Sequence, residues 1–566
     1  MLHELYTAEG ENLPSVPWDV YPRPQLRREN WQNLNGCWDF TAGEGEDLPA
    51  GYDKTILVPF CPESMLSGVK EHFPEGSYLF YRRGVTLPQP LEGRVLLHIG
   101  AADQVADVYV NGSHAGHHEG GYESFTLDIT HLVAEENELV VRCRDDLRDQ
   151  SFPYGKQVMN RGGMWYTPVS GIWQTVWLET VPEKYVRSLN IENRGASVLI
   201  DTGDESLTGT VTVAGLGSFP LAAGKVTVTP EEPHFWSPED PFLYDFTLEA
   251  GEDRVESYFA LRLLEIKKVG GYPRLCLNGK PYFFHGLLDQ GYWSDGLLTP
   301  AAPENYERDI RSMKELGFNM LRKHIKVEAE HFYYLCDKLG MVVFQDMVNN
   351  GDYQFVRDTV LPTVGLQRLP DRWLHRDEKT RAAFRTAMAA TVNQLKNHPS
   401  ILYWTIFNEG WGQFDSDRVC REFRQLDDTR WIDSTSGWFR RKETDVDSRH
   451  VYFRRVELQG DRRKPLVLSE FGGKTYRAEG HIFNSDKVYG YGGCETLEAL
   501  NKAVQDLYVD EIIPCVKKGL CAAVYTQVSD VEDEINGLLT YDRKLCKLTP
   551  ETMLPIAKRL QEAIEA

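Results

Sequence analysis

Two glutamates stand where glutamate is out of place. Glu409 closes the run Trp404-Thr405-Ile406-Phe407-Asn408-Glu409-Gly410, and Glu470 interrupts Leu466-Val467-Leu468-Ser469-Glu470-Phe471-Gly472-Gly473. Glutamate is a poor strand residue and is seldom buried unpaired. At the ends of two apolar runs, the pair reads as reacting groups rather than solvated ones. A rim ion pair would explain one of them; it explains two less well. Two carboxylates facing each other across a mouth can cleave a glycosidic bond. One gives a proton to the leaving oxygen, and the other attacks the anomeric carbon or activates water. A separation of about 5–5.5 Å would mean retention through a covalent intermediate; the sequence leaves that distance open.

Cations gather near the same chemistry. Arg322, Lys323, His324 and Lys326 end the run 318–326, and Lys474 follows Glu470 by four. In an extended strand Arg322, His324 and Lys326 share one parity and point to one side. They would either hold the glutamates in place or meet a carboxylate on the substrate. His450 and Tyr452, also of one parity, end another run.

The elements that must position these residues follow from periodicity. After about residue 268, Tyr306, Ile310, Met313 and Leu316 form a helical stripe, as do Phe332, Leu335, Cys336 and Leu339, and again Phe384, Met388, Val392 and Leu395. Between and after them lie strand candidates at 282–284, 318–325, 341–344, 401–407, 431–433, 450–453, 465–469 and 521–526. About eight strands alternating with helices or long connections close most simply into a (β/α)8 TIM barrel, which keeps its active site at the strands' C-terminal ends. Upstream, runs such as 95–99, 107–110, 138–141 and 175–178, with the turn signal Asn111-Gly112, predict a β jelly-roll sandwich. Smaller Thr/Val-rich runs at 197–200, 210–213 and 225–228 predict an Ig-like β-sandwich. The expected division is 1–181 jelly roll, 182–267 Ig-like sandwich and 268–566 catalytic barrel.

Composition narrows the function. The 566 residues carry a net charge of −22, which argues against nucleic acid or an anionic membrane as partner. No stretch approaches the ~18 apolar residues of a membrane span, and the first residues lack a signal peptide's apolar core. Ten cysteines without a C-x-x-C pair fit reduced thiols and a cytoplasmic location. No H-E-x-x-H occurs and His117-His118 has no evident third ligand, so no metal is expected.

Longer motifs carry a resemblance. Leu34-Asn35-Gly36-Cys37-Trp38-Asp39-Phe40, Gly171-Ile172-Trp173-Gln174-Thr175-Val176-Trp177-Leu178-Glu179, Trp236-Ser237-Pro238-Glu239-Asp240-Pro241, and above all Asn397-His398-Pro399-Ser400-Ile401-Leu402-Tyr403-Trp404 followed by Asn408-Glu409, resemble glycoside hydrolase family 2 nearly end to end. That family contains β-galactosidases, β-glucuronidases and β-mannosidases. The resemblance implies Glu409 as acid/base, Glu470 as nucleophile, Asn408 on the sugar 2-hydroxyl, Arg322 and His324 in the pocket and Tyr452 bonded to the nucleophile. Lys326, Asp289, Trp404 and Tyr525, on strands reaching the same mouth, complete the expected substrate contacts. The sequence departs from well-known members at 285–290, where Arg-His-Glu is common, and at Tyr525-Thr526-Gln527, where tryptophan is usual. The Asn-x-Lys pair that holds a sugar carboxylate in many β-glucuronidases is not evident in 527–544. The expectation is a retaining exo-β-glycosidase without cofactor, leaning to β-hexuronides, with a neutral β-galactoside as the alternative. Its partner is a small glycoside or oligosaccharide, and a homo-oligomer is compatible with the acidic surface. A non-catalytic carbohydrate-binding protein would be expected to lose Glu409, Glu470 or Asn408, and all three are present.

Overall fold

The computed structural model describes residues 1–88, 92–361 and 370–565. Its first sandwich packs a six-stranded sheet (Gly36–Gly43, Lys54–Val58, Tyr78–Thr86, Val105–Val110, Ser113–Glu119, Glu136–Arg144) on a four-stranded one (Trp31–Asn33, Arg94–Ile99, Phe125–Asp128, Val176–Val181). Alternation drives this: Trp38 and Phe40 turn inward from Gly36–Gly43 while Cys37 turns out. Asn111 and Gly112 both take positive φ (52° and 75°) and join Val105–Val110 to Ser113–Glu119 as the predicted hairpin. A second sandwich of three- and four-stranded sheets follows, its core built on Val211, Phe246, Val255 and Phe259.

The C-terminal region is an eight-stranded parallel barrel. We number its strands β1 (Phe284–Asp289), β2 (Met320–Lys323), β3 (Val342–Asp346), β4 (Ile401–Thr405), β5 (Trp431–Asp433), β6 (Asp447–Val451), β7 (Leu466–Gly472) and β8 (Leu520–Thr526). They pair in the order β5-β4-β3-β2-β1-β8-β7-β6, so the barrel is closed except between β5 and β6. The predicted stripes face the barrel: Tyr306, Ile310 and Met313 in helix Pro303–Glu315, Phe332, Leu335 and Cys336 in Glu330–Leu339, and Phe384, Met388, Val392 and Leu395 in Glu378–Leu395 are buried. β1 lies further along than the aromatic run 282–284 suggests. It continues through Gly286, where a Cβ would stand 2.3 Å from the Met320 sulfur, so a residue that weakens a strand pattern is required by close packing.

Domain docking uses the most recognisable motif. His398 Nδ1 lies 2.7 Å from Asp337 Oδ2, the Ser400 amide donates to Asp337 Oδ1 (2.8 Å), and Tyr258 of the second sandwich donates to Asp337 (2.7 Å). Asn397 exchanges hydrogen bonds with the backbone at Leu189 and Ile191. The Trp236 indole donates to the Asp337 carbonyl (2.8 Å). No helix among the described residues is long and apolar enough to cross a membrane. All ten cysteines are free thiols.

Candidate active site

The C-terminal ends of the barrel strands bring the two glutamates together. Glu470 projects from β7. Glu409 follows β4 in a left-handed conformation (φ 52°), which costs a non-glycine residue about 1–2 kcal/mol and is fixed by its amide donating to the Ser436 carbonyl (2.9 Å). Glu409, His450 and Glu470 have donor atoms all within 4.8 Å of one another. Three such ligand types could hold a metal ion, but carboxylate-driven glycoside hydrolysis requires none.

Each glutamate has its own partners. Arg322 on β2 donates to Glu470 Oε1 (3.1 Å), the Ser469 carbonyl (3.0 Å), Asn408 Oδ1 (2.9 Å) and Asp346 (3.0 Å). The Tyr452 hydroxyl donates to Glu470 Oε2 (2.8 Å). Asn408 spends its oxygen on Arg322, which leaves its Nδ2 without a protein partner among the described residues. Glu409 Oε1 lies 2.7 Å from His450 Nδ1. Gly437, at φ 100°, makes room for this ring: a Cβ there would fall 2.6 Å from Nδ1.

Burial separates the electrostatics. It raises the Glu409 pKa to about 7 against the opposing charges of Lys156 and Arg322, so near neutral pH the carboxyl can carry a proton. Burial also raises Glu470 above the ordinary range, and Glu409 adds to this; His450, Arg322 and the Tyr452 hydroxyl favour its ionised form. Burial lowers His450 to about 4 and His324 to about 3, so both imidazoles are neutral at pH 7.

The cleft over this pair has a volume of about 570 Å³. Of the expected substrate contacts, His324 and Tyr452 line it. His324 is held through Nδ1 by Asp346 (2.7 Å). Arg322 lies beneath Glu470, 1% exposed and committed to four acceptors.

Four other expectations are corrected. Lys326 does not share the side of Arg322, because β2 ends at Lys323 and Ile325 turns the backbone at φ 54°. Its ammonium donates to the carbonyls of Gly291 and Leu298 and to Glu328 (2.9 Å). Asp289 pairs with Lys323 (2.6 Å) in the same closed network. Trp404 faces outward and donates to Asp427 (2.8 Å). The Tyr525 ring packs against Phe471 and Tyr508, with its oxygen accepting the Lys474 amide (3.1 Å). Strand parity explains the last two: Thr526, the neighbour of Tyr525, is the residue that reaches the cleft.

Sequence reading missed Lys156 and Met164 from the first sandwich region, Trp411 and Trp438 from the loops after β4 and β5, and Tyr489, Tyr491 and Glu534 from later loops, all lining the cleft. Only tertiary contact unites them. His450 was visible as a parity partner of Tyr452, but its bond to Glu409 was not.

Comparison with known proteins agrees with this architecture. The model described as "Glycosyl hydrolases family 2, TIM barrel domain" matches residues 268–564, and "Glycosyl hydrolases family 2" matches 184–262. Among curated relatives, the β-glucuronidase of Felis catus is 26% identical over 462 residues, covering 69% of this chain and 65% of its own. The β-galactosidase of Thermoanaerobacter pseudethanolicus is 24% identical over 517 residues, covering 81% and 65%. The chain thus spans less than two thirds of the length of these relatives. Two solved structures share the fold: a β-glucuronidase from an uncultured Clostridium sp. (18% identity, TM-score 0.73, 96% of this chain and 99% of that one). The other is a family 2 β-galacturonidase from Eisenbergiella tayi bound to galacturonate (17% identity, TM-score 0.68, 96% and 99%). With a family model covering more than half its length, the chain belongs to glycosyl hydrolase family 2.

Proposed function

We propose that this protein is a retaining exo-β-glycosidase acting on β-hexuronides. The observation that carries the retaining mechanism is the approach of Glu409 and Glu470, whose oxygens lie within 4.8 Å. That approach of one oxygen from each is in keeping with the roughly 5–5.5 Å separation of retaining enzymes rather than the roughly 6.5–9.5 Å of inverting ones. Glu470 attacks the anomeric carbon as the bond to the leaving oxygen breaks, and Glu409 supplies that oxygen with its proton. Glu409 then takes a proton from water, which displaces Glu470 and releases the sugar with its original configuration. In this reading the Asn408 amide, whose oxygen accepts from Arg322, bonds the sugar 2-hydroxyl as charge develops.

The hexuronide assignment is supported by likeness to β-glucuronidases and to a β-galacturonidase. A neutral β-galactoside is the second reading. It is favoured by the Glu534 carboxylate, which lines the cleft and adds negative charge there. Proton NMR of early product tests retention: the β anomer should appear first, and an initial α anomer would refute it. Comparison of p-nitrophenyl β-glucuronide, β-galacturonide and β-galactoside tests the glycone.

A further inference from the structure

A hexuronide places a carboxylate beside Glu409, Glu470 and Glu534. Some cation must offset that repulsion; of the cations suggested by the sequence, Arg322, Lys323 and Lys326 are already committed, and Lys474 does not line the cleft. Arg322 is saturated beneath Glu470, and Lys326 and Lys323 are closed into the Asp289–Glu328 network. The histidines at the cleft, His324 and His450, are neutral at pH 7. Among the described residues lining the cleft, lysine and arginine are represented only by Lys156 and Arg454. Arg454 is exposed at the mouth, whereas Lys156 is 6% exposed.

The surroundings of Lys156 are unusual for a buried ammonium. It makes no hydrogen bond or ion pair with a side chain or carbonyl among the described residues. Its Nζ lies 5.5 Å from the Tyr166 ring centroid and 5.7 Å from that of Trp411. Such aromatic faces stabilise a cation without supplying an acceptor. Glu534 is the strongest opposing charge, yet its oxygens accept from Tyr166 (2.5 Å) and Asn536 (3.0 Å) rather than from Lys156. A buried cation lacking a partner is costly, and an arriving carboxylate would remove that cost.

The backbone beneath Lys156 is anchored to the barrel. The amides of Tyr154 and Gly155 both donate to the Asn349 carbonyl (3.1 and 3.3 Å), and the Tyr154 hydroxyl donates to the Gly351 carbonyl (2.7 Å). The Lys156 carbonyl accepts the Tyr166 amide (3.0 Å). The segment therefore presents its side chain from a fixed position over the loop that follows β3.

Building on the hexuronide reading above, we infer that Lys156 receives the glycone carboxylate and determines specificity for a hexuronide over the neutral hexoside. The first sandwich thereby contributes to glycone selection as well as to the barrel's packing.

The test compares wild type, Lys156→Met and Lys156→Arg on p-nitrophenyl β-glucuronide, β-galacturonide and β-galactoside. Each is assayed at its own pH optimum, which removes effects of Lys156 on the ionisation of the glutamates. Thermal melting verifies that the variants fold. Lys156→Met should lower the uronide-to-galactoside ratio of kcat/KM by roughly 10- to 100-fold, the value of a charge-assisted hydrogen bond. The loss should appear chiefly in KM, and Lys156→Arg should restore part of it. Equal losses on uronide and galactoside would overturn the inference and assign Lys156 to the general shape of the cleft, leaving the hexuronide reading intact. A wild-type preference for the galactoside would instead overturn the hexuronide reading itself, and the inference with it.

Discussion

At the scale of single residues, the mechanism proposed above gives the two glutamates different tasks, and their partners differ. Glu470 receives an arginine and a tyrosine hydroxyl, whereas Glu409 receives a neutral imidazole. Glu470→Gln should abolish turnover, because it removes the carboxylate that forms the glycosyl-enzyme in this mechanism; retention of more than about a tenth of wild-type kcat, ~1.4 kcal/mol of barrier, would refute the assignment. Glu409→Ala should spare the first step for substrates with good leaving groups, and azide should partly rescue turnover because it needs no general base. The pH dependence follows from burial. Glu409 has its pKa raised to about 7, so it is protonated below that value and loses its proton above it. Cleavage of a poor leaving group should therefore fall about tenfold per pH unit above pH 7. A flat profile to pH 9 would show that another group protonates the leaving oxygen.

At the scale of elements, the loops beyond the strand ends decide which side chains meet. The turn of Ile325 separates Lys326 from Arg322, although sequence parity had aligned them. Lys326→Met should consequently lower stability by about 3 kcal/mol, leaving two carbonyls and Glu328 short of a donor, without changing glycone preference. Denaturant midpoints and the substrate panel separate the two effects. The loop after β5 acts differently. Gly437→Ala would push a methyl into His450 and add strain at φ 100°. Displacement of His450 from Glu409 should reduce kcat by on the order of 10- to 100-fold, the cost of misplacing a catalytic group by about an ångström. Unchanged kcat in a variant of normal stability would show that His450 does not position the acid.

At the scale of the whole molecule, the sandwiches and the barrel are held as one packed body, in part through Asp337, which ties His398, Ser400 and Tyr258 together. Trp236→Ala should cost about 3–5 kcal/mol, the usual penalty for emptying a buried aromatic site, while the folded fraction keeps its kcat. Calorimetry with active-site titration distinguishes lost protein from lost chemistry. The motif most legible in the sequence, Asn397-His398-Pro399-Ser400, thus holds domains together, and only its continuation, Asn408-Glu409, reaches the cleft. The sequence by itself determined the alternation of strands and helices, the two β-sandwiches before them, and the glutamates at β4 and β7. These follow from periodicity and from charged residues in apolar runs, both local properties of the chain. It also showed that the usual carboxylate-binding pair was not evident. Tertiary structure alone decided which cations were already occupied, that Lys326 leaves the side of Arg322, and that Lys156 reaches the cleft from more than 250 residues upstream of Glu409. The physical reason is that strand parity predicts direction only while the backbone stays extended. Whether a charge is paired depends on neighbours that no sequence spacing encodes.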